Sequence, residues 1–129
     1  MMDAREFDAW LASMGRAWEE RDPDRAAELF ADDALYYETP FSEPLMGREA
    51  IRGYWAEVPE AQENVSFRYE VVAVAGEIGI ARWWTSLDRV PSGVHAEFDG
   101  VFVLTFNASG HCREFREWWH RVETGSAAD

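Results

Sequence analysis

The spacing of apolar positions changes once along the chain. Up to about residue 58 apolar side chains recur every three or four positions; from residue 65 they alternate with polar ones. The first period predicts helices and the second half-buried strands. A first helix is predicted over residues 4–21, with Phe7, Trp10, Leu11, Met14 and Trp18 on one face. Asp3 is placed to cap it, and Glu6 is the box-like partner three residues on. Asp22-Pro23 restarts a short helix, because proline at the first helical position lacks only an N–H that would go unpaired. That helix is expected to bury Ala26, Leu29 and Phe30. A short strand at 34–37 and an irregular loop marked by Thr39-Pro40 and Glu43-Pro44 follow. Gly47 opens a third helix reaching about Glu57, which buries Ile51, Tyr54, Trp55 and Val58 and is stopped by Pro59. Residues 61–64 read as a polar connector.

Four long strands are predicted at 65–75, 78–90, 94–107 and 111–122, joined by connectors short enough for antiparallel hairpins. Helices first and a strand meander after is an α+β arrangement, with helices packed on one face of a curved sheet. Alternation assigns the faces. Ala96, Phe98, Gly100, Phe102, Leu104 and Phe106 form a wholly apolar set, so that side of the third meander strand is expected to face the helices. The same parity turns Ala81, Trp83, Thr85 and Leu87 inward, and in the last strand Phe115, Glu117 and Trp119. Two anomalies result. Glu117 is a carboxylate on an apolar inner face. Trp84, Val101, Val103 and Trp118 are large apolar groups on the outer face, interleaved with Arg82, Glu114 and Arg116.

Composition narrows the classes. A chain of 129 residues is most simply one domain, with a core over about 5–122 and a tail at 123–129. Aromatics make up 15% of it, including 7 Trp, more than a small core needs; the surplus lines a cavity, an interface, or both. The formal net charge of -13 argues against nucleic-acid and anionic-membrane partners. All 12 basic residues are arginine, so neither a Schiff-base lysine nor a P-loop lysine is present. A single cysteine, Cys112, excludes an internal disulfide, and with no secretory pattern at the N-terminus a cytoplasmic location is expected. No apolar stretch approaches the roughly 18 residues of a membrane span.

The stretch 31–55, ADDALYYETPFSEPLMGREAIRGYW, is the centre of a further argument. Together with FADDA at 30–34, GREAI at 47–51 and LTFNASGHCREFREWW at 104–119, it resembles the SnoaL-like branch of the NTF2-like superfamily. The resemblance implies a cone: a strongly curved, mainly antiparallel sheet wrapped round N-terminal helices and enclosing a pocket. It does not imply one reaction, because this fold hosts isomerases, cyclases, dehydratases and hydrolases. In the isomerase branch the catalytic base is an aspartate at the position matching Glu38. Its two oxyanion-hole donors match Met14 and Phe102, neither of which donates a hydrogen bond. The loss of donors commonly worth roughly 2.7–4 kcal/mol each argues against ketosteroid isomerase activity.

Glu38, at the end of an apolar strand before a turn, and Glu117 are the candidate catalytic carboxylates. A carboxylate facing an apolar cavity loses hydration and becomes a better base, and two in one cavity can hold different protonation states. Tyr36, Tyr54 and Thr85 are candidate hydroxyl donors, and Trp83 and Trp119 candidate stacking surfaces. Trp10, Met14, Phe41, Phe98, Phe102 and Phe115 complete the expected pocket wall. Each of these residues also reads as ordinary core. The histidines show no metal-ligand spacing, and neither metal nor cofactor is expected. The outer patch of Trp84, Val101, Val103 and Trp118 predicts a homodimer, sheet against sheet. Two functions stand open: a cofactor-independent acid–base enzyme for a small hydrophobic molecule, of the isomerase, dehydratase, cyclase or hydrolase type, or a non-catalytic dimeric module that binds a ligand.

Overall fold

The computed structural model describes residues 2–125. Helix α1 (Ala4–Glu19) starts at the expected box: the Asp3 carboxylate accepts from the Glu6 amide at 2.8 Å, and Glu6 returns a bond to the Asp3 amide. Its buried stripe includes Phe7, Trp10, Leu11 and Met14. Helix α2 (Pro23–Ala27) is capped by Asp22. It is shorter than expected, and Phe30 is buried as the first residue of a strand, not as helix. The reason lies across the sheet: the Cys112 amide takes the Leu29 carbonyl at 3.0 Å, which commits residue 30 to strand pairing. Strand β1 (Phe30–Tyr37) is therefore longer than 34–37, with an irregularity between Phe30 and Leu35.

After the two-residue strand β2 (Leu45–Met46), α3 (Arg48–Trp55) ends earlier than expected. Pro59 does not stop it; it sits at the start of a separate turn, α4 (Val58–Ala61), where its missing N–H is harmless. The predicted connector at 61–64 is largely strand. β3 (Gln62–Ala75) pairs Gln62 with Arg89 and Glu63 with Asp88 before a bulge at Asn64, whose positive φ suits an asparagine. β4 (Ile78–Arg89), β5 (His95–Phe106) and β6 (Cys112–Thr124) follow as a meander. Residues 123 and 124, expected in the tail, extend β6 and pair with Ala96 and His95; the rest of that tail, 126–129, lies outside the described residues.

Among the described residues the strands form one sheet in the order β2-β1-β6-β5-β4-β3. Only β1 and β6 run parallel; the other neighbours are antiparallel. The first strand of the chain thus lies beside the last, and this brings residues near 38 next to residues near 117. The inner and outer sets follow the predicted parity. Ala81, Trp83, Thr85, Leu87, Phe102, Leu104, Phe106, Phe115 and Glu117 are all buried, while Glu97, Asp99 and Trp118 are exposed. Helix α1 crosses β3 at Gly15, where a Cβ would stand 2.6 Å from the Phe67 ring; only glycine allows that approach. Among the described residues no helix is long and apolar enough to cross a membrane.

Candidate active site

A cavity of about 300 Å³ lies between the helices and the inner face of the sheet. Its deep wall is built from strands: Tyr36 of β1, Trp83 of β4, Phe102 of β5, and Phe115 and Glu117 of β6. Met14 and Trp18 of α1 and Tyr54 and Trp55 of α3 face them from the helices. The walls are flat. Tyr36 stacks on Phe115 with centroids 4.2 Å apart and planes 7° from parallel, and Trp83 on Phe102 at 5.0 Å and 12°. Gly100, opposite Trp83 on β5, makes this possible: a Cβ there would sit 2.8 Å from the indole and 2.5 Å from the Trp118 carbonyl.

Register brings the two carboxylates to one cavity. Tyr36 pairs with Phe115 and Tyr37 with Arg116, the last pair before β1 ends; Glu38 follows directly, and it and Glu117 line the same cavity. The Trp119 indole donates to the Glu38 carbonyl at 3.3 Å and holds the end of β1 against β6 just where β1 leaves the sheet. Glu117 is 8% exposed. Burial pushes its carboxyl well above the ordinary carboxylate range, and the charge of Glu38 pushes the same way; the facing Tyr36 hydroxyl offsets part of this. Tyr36 and Tyr54 are raised by their own burial and then by Glu117 and Glu38. The four groups therefore share one electrostatic neighbourhood. Burial and the neighbouring charge both favour the protonated form of Glu117, beside a second carboxyl nearer the surface.

The cavity lining also includes Val58, expected as buried helix, and residues that the sequence reading did not single out: Glu57, Ala61, Gln62, Arg89 and Arg121. Trp18 and Trp55, expected on buried helix faces, line it too. Two of these were findable. Arg89 and Arg121 occupy the inner register of β4 and β6, continuing Trp83-Thr85-Leu87 and Phe115-Glu117-Trp119, and a charge in that register at a strand end marks the rim of a cavity.

Of the expected pocket residues, Met14, Tyr36, Tyr54, Trp83, Phe98, Phe102, Phe115 and Trp119 line the cavity with Glu38 and Glu117. Three do not. Phe41 is fully exposed, because the loop after β1 folds outward around a Thr39–Ser42 hydroxyl pair at 2.6 Å. Trp10 lies in the packed end of the cone, its indole donating to the Leu29 carbonyl at 3.0 Å. Thr85 faces inward but lies outside the cavity lining, its hydroxyl buried without a partner. On the outer face Val101 pairs with Trp118 and both are exposed, whereas Trp84 is sandwiched between the guanidiniums of Arg68 and Arg82 at 4.9 and 4.7 Å. Among the described residues no three His, Cys, Asp or Glu side chains converge in a way that would hold a metal ion.

The model of the SnoaL-like domain family matches residues 7–115. The chain belongs to the SnoaL-like family. Solved structures share this fold at low sequence identity. One is the epoxide hydrolase/cyclase-like enzyme SalBIII of pyran ring formation in the polyether salinomycin, 21% identical with TM-score 0.80 over 93% of this chain and 95% of that one. Another is a computationally designed 17-OHP binder, 18% identical with TM-score 0.77 over 92% and 96%. At such identities the likeness establishes the fold alone. No curated protein sequence matches the chain significantly.

Proposed function

We propose that this SnoaL-like protein is a cofactor-independent acid–base enzyme acting on a small, largely apolar molecule held in the cavity. Glu38 removes a proton next to a carbonyl or activates a water. Glu117, kept neutral by burial, returns a proton, with Tyr36 and Tyr54 lending hydroxyl donors. The observation that carries this reading is Glu117: a carboxyl buried beside a second carboxyl in an aromatic cavity, with no cation against it. Such an arrangement adds nothing to stability, and strongly shifted groups in clefts cluster at functional sites. A volume of about 300 Å³ lies at the small end of the range for ligand pockets. Proton abstraction is tested by incubating the protein with a series of cyclic ketones in D₂O and following exchange at the carbon next to the carbonyl by NMR. Exchange about 100-fold above buffer that disappears in Glu38→Gln is the expected result. Full exchange activity in Glu38→Gln would remove the assigned base.

A second reading is a non-catalytic binding module. It is favoured by Met14 and Phe102, which line the cavity and offer no hydrogen bond to a developing oxyanion. Under it, Glu38→Gln and Glu117→Gln leave ligand affinity intact and no member of the series exchanges. In either case we propose that Val101 and Trp118, flanked by Trp84 and Val103, are covered by a second copy of the chain by two-fold symmetry. A monomer in sedimentation at micromolar concentration would contradict that, and a cytoplasmic location is proposed with it.

A further inference from the structure

We infer that the cavity selects a monoanionic ligand: a small aromatic or otherwise apolar carboxylate, seated with its body against Trp83, Phe98 and Phe102 and its carboxylate at the mouth between Arg89 and Arg121. This rests on the reading of the cavity as a ligand site and goes beyond it by naming the ligand's charge and orientation.

Three observations carry it. First, Arg89 and Arg121 lie in the inner register at the open end, and both line the cavity. Second, both turn the same atom to the same partner. Arg89 Nε stands 2.7 Å and Arg121 Nε 3.8 Å from Oε2 of Glu123. Two guanidiniums thus share one carboxylate, and among the described residues their terminal amino groups make no hydrogen bond. Those paired N–H groups form the fork that a carboxylate fits. Arg121 also lies over the Trp119 ring, 5.8 Å from its centroid, which sets the guanidinium on the rim instead of in open solvent.

Third, the charge is distributed by depth. Cations are scarce in a chain of net charge -13, yet two of its 12 arginines stand at this mouth. Glu117 is buried in the inner wall, Glu38 stands between it and the surface, and neither has a cation paired with it among the described residues. A negative group is repelled from the inner end and attracted at the rim, so a ligand with one apolar and one anionic end enters in a single orientation. Glu123, held between the arginines, disfavours a second negative charge, which points to a carboxylate rather than a phosphate dianion. The reacting atoms then lie at the end of the ligand remote from its carboxylate.

The test compares 2-naphthoate with 2-naphthamide, a neutral molecule of the same shape, by isothermal titration at pH 7 and low salt. The carboxylate is expected to bind about tenfold more tightly. That advantage shrinks in 0.5 M salt, as an interaction at a solvent-facing rim must. It disappears in an Arg89→Gln/Arg121→Gln double variant, whose fold is checked separately by circular dichroism and urea unfolding. Equal affinities for the two probes in the unaltered protein would overturn the charge selectivity and leave the cavity reading standing. Binding of neither probe would overturn both.

Discussion

The two ends of the cone are built from the same helix and the same sheet face, yet they are finished differently. At one end Phe7, Trp10, Phe30 and Phe106 meet edge to face with centroids 5.4–5.7 Å apart, and the Trp10 N–H is paired. Packing against the helix is close: a Cβ on Gly79 would stand 2.7 Å from the Phe7 ring. At the other end aromatic rings stack face to face around a void, the N–H groups of Trp55 and Trp83 are buried without partners, and a carboxyl is buried as well. Native interiors normally fill voids and pair polar groups. The first end holds the fold together. The second leaves a cavity and unpaired polar groups, at a cost in stability.

The largest expected effect separates the ends by truncation. Phe106→Ala should lower stability by about 3–5 kcal/mol, because its neighbours cannot collapse into the hole. Phe98→Ala, half-buried on the cavity wall, should lower it by only about 1–2 kcal/mol because it enlarges a space that already exists. Urea unfolding of both variants checks this, and equal losses would erase the distinction. Gly79→Ala sharpens it from the other side: overpacking against Phe7 should cost about 1–3 kcal/mol.

Next comes Glu117→Gln, which keeps the shape and removes the charge. In the unaltered protein the folded state retains a proton that the unfolded chain releases above about pH 4.5, so this group lowers stability as pH rises from there through its raised folded value. Glu117→Gln should therefore be more stable than the parent at pH 8, by about 1 kcal/mol or more, with the difference vanishing near pH 4. The same variant should lose acid–base activity. A variant less stable than the parent across that range would mean that the carboxyl is satisfied where it lies.

The smallest effect lies outside both ends. His95 on the outer register holds Asp88 through Nδ1 at 2.8 Å and Glu97 through Nε2 at 3.1 Å, an arrangement that favours the imidazolium. Its hydrogen bond to Asp88 is the main cause of a value raised above 6.5. Any stability it contributes is complete below about pH 6.5 and is lost as pH rises through the folded value. A histidine NMR titration should show His95 above 6.5 and moved down in Asp88→Asn.

The sheet, its faces and the inward turn of Glu117 were legible in the alternation from residue 65 onward, because a period of two leaves no freedom once one face is apolar. The contrast between the two ends was not. Trp10 and Trp18 occupy the same helical stripe, and nothing in their spacing says which meets packed rings and which meets a void. Phe41 was misplaced because a loop has no period; the Thr39–Ser42 contact, not hydrophobicity, sets its direction. Phe30 read as helix because the pairing of Leu29 with Cys112 is a contact across 83 positions of chain, outside any local window. Arg89 and Arg121 were legible in principle, as charges interrupting an inner register.

The central claim is that Glu38 and Glu117 share one cavity and that the buried carboxyl stays protonated at neutral pH. Carbon-13 labelling of glutamate side chains, with Glu117 assigned by its loss in Glu117→Gln, measures this directly. The account predicts a carboxyl that titrates well above the ordinary glutamate range and moves down when Glu38 becomes glutamine, since the charge of Glu38 is one of the causes of the shift. A carboxyl titrating in the ordinary range and indifferent to Glu38 would contradict it.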